Sequence, residues 1–235
     1  NSPTYNSEAS DYSFSAPVIA DATASIAAKV LTTTASIGGT LTKTYDGTTA
    51  ATGAQVVSNV SGAVAGDTLG LNTSGITLAY DNAHVDRASK ISATGTGTLA
   101  IAASASNSVA GDYSFTAPSI AAVNASITPK VLTATASIGG TLTKTYDGTT
   151  TAMPTLAIAA GLVGTETITA TGTANFNAKN VVTANLVSVD SVTLSDGTNG
   201  GLASNYSLNP GQSTAAAITP AALTATVTAP SKVYD

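Results

Sequence analysis

The sequence predicts an all-β protein, built as tandem immunoglobulin-like β-sandwich repeats that form an elongated rod. Three observations carry this expectation. The run Ala35–Thr49 returns letter for letter at Ala136–Thr150, and the wider stretch Asp11–Thr49 matches Asp112–Thr150 at 31 of 39 positions. Self-similarity at domain length marks an array. Thr, Val and Ile abound while Glu, Lys and Arg are sparse, and no apolar stripe of helical period runs for three turns. Short alternating runs separated by Gly-Asp, Asp-Gly and Asn-Gly pairs then give the rhythm of roughly seven strands per hundred residues that a sandwich shows.

The repeats divide the 235 residues into four parts. Residues 1–28 match the last part of a repeat, 29–129 form repeat A, 130–220 form repeat B, and 221–235 match the start of another repeat. The simplest reading is a window cut from a longer array. The seams are Ala27–Thr32, Thr128–Thr133 and Thr219–Thr224. Proline at 129 and 220 removes a backbone donor and stiffens the joint, so successive repeats are expected nearly end to end.

Within repeat A the strand candidates are Leu69–Leu71, Ile76–Tyr80, Ile91–Ala93, Thr98–Ile101 and Tyr113–Phe115. Repeat B offers Glu166–Ala170, Asn175-Phe176, Leu186–Val189 and Val192–Leu194. The expected core of repeat A is Val30, Leu31, Ile37, Leu41, Tyr45, Leu78, Tyr80, Val85, Ile91, Leu99, Tyr113, Phe115 and Ile127, with counterparts in B. On that assignment Tyr146→Ala is expected to cost repeat B about 3 kcal/mol or more.

Composition bounds the function. Only 9% of residues are charged, yet 43% are hydrophobic and the mean hydropathy is +0.25. A folded β protein with a Thr-, Ser- and Asn-rich surface fits that balance better than disorder. A net charge of −5, with eight scattered Lys and Arg, argues against nucleic acid. No apolar stretch approaches the length of a membrane span, so no membrane insertion is expected. Cysteine is absent, which suits export without disulfides.

The sharpest motif is Lys-x-Tyr-Asp-Gly-Thr, at Lys43, Tyr45, Asp46, Gly47 and Thr48 and again at Lys144, Tyr146, Asp147, Gly148 and Thr149. Its chemistry reads as a strand ending in a tight turn, with Asp bonding nearby amides, Gly at positive φ and Tyr packing inward. Calcium binding would need more clustered acids than thirteen spread over the chain. An isopeptide bond from the lysine would need Asn or Asp at contact, and Asn82 or Asn180 are the candidates; an exposed strand lysine guarding an edge is the plainer reading. His84 is the lone histidine. With no Cys and no acid–base constellation, neither catalysis, nor a metal site, nor a cofactor is expected. Asn59, Asn72, Asn124 and Asn205 head formal glycosylation sequons, which so Ser- and Thr-rich a chain yields by chance.

The motif belongs to a larger set: an aromatic-Asx-x-x-x-Val segment (Tyr80–Val85, Phe176–Val181), an Asx-Tyr-Ser segment closing on Tyr12, Tyr113 and Tyr206, and Ile-Thr-Pro at the seams. In this order the set resembles the YDG repeat of large bacterial secreted adhesins, including filamentous-haemagglutinin-like surface proteins. Repeat A departs from the usual Lys-Asn-Val pattern with His84-Val85-Asp86-Arg87. The resemblance implies an extracellular or cell-surface array of non-enzymatic structural repeats, the shaft of an adhesin or filament, whose partners are neighbouring repeats of the same long chain. Two alternatives stand beside it: lateral assembly with other copies into fibres or a biofilm matrix, and a carbohydrate-binding module contacting extracellular polysaccharide. Carbohydrate binding calls for exposed Tyr on one face, whereas a shaft calls for nearly all Tyr buried.

Overall fold

A computed structural model of the chain describes residues 8–105, 107–132, 136–158 and 160–234. The described residues are all-β apart from short 3-10 turns such as Ala110–Asp112 and Ala203–Asn205.

β-branched residues alternating with small polar ones generate the first hairpin of each repeat. In repeat A, Thr32–Gly39 pairs antiparallel with Ala54–Ser61, placing Ile37 opposite Val56. In repeat B, Ala136–Gly140 pairs with Pro154–Ile158. Further along, repeat A breaks into two separate pairings. Thr68–Asn72 pairs with Thr98–Ala103, while Ile76–Tyr80 pairs with Lys90–Gly95. The interruption falls at Gly75, Gly95 and Gly97, where chains approach so closely that a Cβ on Gly95 would run into the Gly75 carbonyl oxygen.

Repeat B lacks that interruption. Ile168–Phe176 and Leu186–Asp196 run as two long strands, paired throughout, with a register shift between Thr173 and Ala174. Leu186–Val189 and Val192–Leu194, expected as separate strands, are therefore one strand that absorbs Asp190 as a bulge. Gly172 makes this possible, because a Cβ there would strike the Ser191 carbonyl oxygen.

Parallel pairings close each unit by bringing its beginning to its end. Lys29–Val30 lies beside Tyr113–Ser114, and Thr42–Thr44 beside Ser126–Thr128. Repeat B repeats both, with Lys130–Leu132 beside Tyr206–Leu208 and Thr143–Thr145 beside Ala217–Thr219. Pro129 alone separates the strand Ser126–Thr128, bound into repeat A, from Lys130–Leu132, bound into repeat B. Its missing N–H costs the ladders nothing at that position.

Two apolar clusters form the interior. One lies wholly within repeat B around Phe176, Val187, Val189 and Ile218. The other crosses the seam, joining Ile37, Tyr45, Tyr80, Ile91 and Ile127 of repeat A to Leu132, Ile168 and Tyr206 of repeat B. Val30 and Val131, expected in the core, instead face outward and are exposed. Successive strand residues point to opposite faces, so with Leu31 and Leu132 buried the preceding valines must point away. Residues 12–28 and 220–234 form no helix or strand and are exposed throughout.

Candidate functional site, the joint between the repeats

The Tyr-Asp-Gly turn is wound around a lysine ammonium. Lys43 Nζ donates to Asp46 Oδ1 and to the Thr48 carbonyl, both at 2.7 Å, and to the Ala50 carbonyl at 3.1 Å. It also stands 5.3 Å from the centre of the Tyr80 ring. Asp46 Oδ1 in turn accepts from Thr48 N and Thr48 Oγ1, both at 2.9 Å. Lys144 repeats the arrangement with Asp147, Thr149 and Thr151 over the Phe176 ring. Gly47 and Gly148 close the turns at φ of +78° and +77°.

Lys43 and Lys144 are thus largely covered turn anchors, not exposed strand lysines. Asn82, weighed as a crosslinking partner, uses its Oδ1 to accept from His84 N at 2.9 Å. The Lys144 ammonium and the Thr149 amide and hydroxyl hold the Asp147 carboxyl down at about 2. Among the described residues no group of three or more His, Asp or Glu is placed to hold a metal ion, and no helix is long and apolar enough to cross a membrane.

The turn delivers Tyr45 to the seam. Its amide donates to the Thr128 carbonyl at 2.9 Å, which fixes the turn to the residue before Pro129. Its ring then packs edge-on against Tyr206 of repeat B, with centroids 5.5 Å apart and planes at 79°. The two hydroxyls converge on one carboxylate. Tyr45 donates to Glu166 Oε1 at 2.6 Å and Tyr206 donates to Glu166 Oε2 at 2.7 Å. Both lie in the short range of hydrogen bonds to an ionised acceptor. Tyr206 Oη also accepts from Val163 N at 2.9 Å.

A second bridge lies beside the first. Asn205, wholly buried, accepts from Val85 N through Oδ1 at 3.0 Å, and its Nδ2 meets His84 Nδ1 at 2.9 Å. Because the Val85 amide can only donate, it fixes the orientation of the Asn205 amide. His84 Nδ1 must then be the acceptor, with its proton on Nε2. The Asn205 amide nitrogen is therefore engaged across the joint, and its sequon is closed to modification in the folded chain. On the repeat A side, the Cβ that Gly47 lacks would lie 2.8 Å from Val163 Cγ1. Only glycine lets the turn seat that valine.

Each repeat carries both halves of this joint. At the opposite end of repeat A, Tyr113 donates to Asp67 Oδ2 at 2.5 Å and accepts from Val64 N at 3.2 Å. This is the Tyr206–Glu166–Val163 arrangement with Asp67 in the acid position. The Tyr113 bond, then Ser108 and Ser104, hold the Asp67 carboxyl down at about 2. At the far end of repeat B, Tyr146 occupies the Tyr45 position, its amide tied to the Thr219 carbonyl. Tyr45 is 2% exposed and Tyr146 is 41% exposed. The expectation that Tyr146 contributes to the core of its own repeat is corrected: its own sheets leave it 41% exposed, whereas the equivalent Tyr45 is covered by repeat B.

The YDG domain family matches residues 27–121 and 128–216. The chain belongs to the YDG domain family. No curated protein and no solved structure matches it. The Tyr-Asp-Gly turn that gives the YDG domain its signature is the same turn that supplies Tyr45 to the joint. The sequence reading singled out Lys43, Tyr45, Asp46, Gly47 and Tyr206, which the structure gathers at the seam together with His84. Glu166 was not among them, and Asn205 entered only as the Asx before Tyr206 and as a sequon, not as a bridging group. The signal for the first was present: Val64-Ala65-Gly66-Asp67 recurs as Val163-Gly164-Thr165-Glu166, preserving a valine and an acid three residues on.

Tyr45→Phe removes a hydrogen bond to a carboxylate and is expected to cost about 1.5–3 kcal/mol, read by urea unfolding followed through tyrosine fluorescence. Tyr146→Phe, half in solvent, is expected within about 0.5 kcal/mol of the parent. Equal losses in the two variants contradict the joint.

Alkaline pH supplies an independent probe. Burial, then the bond to Glu166, push the Tyr206 phenol from 10.0 up to about 12, and the same causes raise Tyr45. The folded value lies above the unfolded one, so this contribution is whole below pH 10 and drains away as pH rises from 10 towards 12. Unfolding free energy is expected to fall in that window, and to fall less in the Tyr45→Phe, Tyr206→Phe double variant.

Proposed function

We propose that the chain is a non-enzymatic structural segment, the shaft of a secreted bacterial adhesin or extracellular filament, in which each YDG domain is a β-sandwich that adds length to a rod. The single observation that carries this reading is the joint. Two domains separated by one proline share an apolar cluster and a tyrosine–glutamate–tyrosine bridge, and each domain bears the same two half-joints at its ends. A unit built to be joined at both ends serves to transmit position and force along a chain.

The distribution of tyrosine favours a shaft over carbohydrate binding. Tyr45, Tyr80, Tyr113 and Tyr206 are buried, and Tyr146 is exposed where a unit would join. Tyr12 and Tyr234 stand in the extended segments, not on a face of either domain. A polysaccharide-stacking surface needs aromatic rings displayed together, and these are not.

Negative-stain electron microscopy of the purified chain tests the reading. Particles of one length, with roughly 40 Å per domain at ~3.3 Å per strand residue, are expected at every concentration. Particles bent at the centre through all angles, or sheets growing sideways, contradict it. The second outcome favours a laterally assembling matrix material.

A further inference from the structure

Each unit is entered and left through strands that run side by side in the same direction. In repeat A the entering run pairs twice with the leaving run. Lys29–Val30 lies along Tyr113–Ser114 at one end, and Thr42–Thr44 lies along Ser126–Thr128 at the other, next to Pro129. Repeat B places Lys130–Leu132 along Tyr206–Leu208 and Thr143–Thr145 along Ala217–Thr219. These four pairings are parallel, whereas the other strand pairs among the described residues are antiparallel.

That direction decides what tension does. A pull along the chain draws the entering run back through the entrance of the unit and the leaving run forward through its exit. Parallel runs pulled this way slide past each other lengthwise, and every bond between them is loaded at once. Antiparallel strands pulled apart from one end open a rung at a time instead. Forced unfolding is set by the rate of unfolding, so the number of bonds that must break together matters most. We propose that the two parallel patches of each unit form a shear clamp, which carries tension along the chain without unfolding, and that the motif lysine is its stop. The clamp rests on the reading of the chain as a shaft, and it names the elements that bear the load.

The exit patch is bonded at both of its ends. Ser126 N donates to the Leu41 carbonyl at 3.1 Å and Tyr45 N to the Thr128 carbonyl at 2.9 Å. Thr128 Oγ1 adds a bond to the Lys43 carbonyl at 3.2 Å. In repeat B, Ala217 N, Tyr146 N and Thr219 Oγ1 make the same bonds to the Leu142, Thr219 and Lys144 carbonyls. Ile127 and Ile218, in the middle of the leaving strands, are buried, so sliding also draws an apolar side chain out of a packed seat.

Lys43 sits in the middle of Thr42–Thr44, on the entering run. Its ammonium is held by Asp46 Oδ1 and by the Thr48 and Ala50 carbonyls, all beyond the end of that strand. Backward sliding must pull the ammonium out of these bonds together. The Asp46 bonds to Thr48 N and Oγ1 already shape the turn, so what the lysine adds is a tie between strand and turn. Lys144 stands in the same place in repeat B, tied to Asp147, Thr149 and Thr151.

Optical-trap unfolding of the full chain tests the clamp by changing only the direction of pull. The chain has no cysteine, so handles can be fixed at its two ends, or at its start and at Ser61→Cys. Ser61 is exposed and stands opposite Thr32, at the open end of the first antiparallel pair, so the second arrangement unzips that pair. End-to-end pulling is expected to give two abrupt releases of roughly 300 Å each, at up to ~3.6 Å per freed residue. Each is expected at several times the force that the Ser61 arrangement needs. Lys43→Met, which keeps the stem and removes the ammonium, is expected to lower one of the two end-to-end forces and leave the Ser61 force unchanged. Equal forces in the two arrangements overturn the clamp, while particles of constant length under the microscope still support the shaft. Lys43→Met that lowers neither force, or lowers both alike, overturns the role of the lysine as a stop.

Discussion

A carboxylate shared by two tyrosines from two repeats is the constraint on which the rest of this structure depends. Glu166 belongs to repeat B, as does Tyr206, but half of its hydrogen bonding comes from Tyr45 of repeat A. Removing either repeat therefore leaves a polar group near the apolar seam with fewer partners. The penalty for leaving such a group unmade exceeds the net gain of making the bond, so the bridge acts as a requirement for the neighbour. Shape adds to it: Gly47 admits Val163, and the Tyr45 and Tyr206 rings meet edge to face.

The signature turn makes sense in this light. A tyrosine can reach across a seam only if its backbone is held firmly, and the turn holds it from two directions. The Lys43 ammonium gathers the carboxylate and carbonyls of the turn, and the Tyr45 amide is tied to Thr128, next to Pro129. Lysine, aspartate and glycine thus act through position: none of them touches repeat B by a hydrogen bond described here, yet each sets where the phenol points. The same turn stands intact at Lys144–Thr149 with no unit against Tyr146, so the turn forms from its own residues and the joint is assembled on it.

Much of the fold was legible because strand chemistry is local. Short alternating runs located Thr68–Asn72, Ile76–Tyr80, Lys90–Gly95 and Thr98–Ala103 in repeat A and the two long strands of repeat B. They did not locate the pairs Thr32–Gly39 with Ala54–Ser61 or Ala136–Gly140 with Pro154–Ile158. The internal duplication located the seam. Two further features were not legible. Val30 and Leu31 are adjacent and equally apolar, and only the register of the parallel pairing with Tyr113–Ser114 decides which faces inward. The merging of Leu186–Val189 with Val192–Leu194 depends on Gly172 opposite a bulge, a contact between distant parts of the chain. The joint was half legible. Residues recurring in both repeats stood out, including the Asx before Tyr113 and Tyr206. Glu166 replaces Asp67, however, so identity hid what chemistry preserved, and nothing local showed that Asn205 would meet His84 and Val85 of the other repeat. His84 drew attention as the only histidine and was weighed for catalysis, whereas its neighbours make it a hydrogen-bond acceptor for Asn205.

The measurement that tests the central claim most directly is the distance distribution between the two repeats. The chain has no cysteine, so a single spin label can be placed in each repeat at exposed Thr98 and Thr193 and the pair read by pulsed dipolar spectroscopy. A narrow distribution in the parent that broadens in Glu166→Ala, while each repeat stays folded, is the result this account requires. Equal widths in the two proteins would contradict it, because Pro129 and the apolar seam would then hold the repeats together without the shared carboxylate.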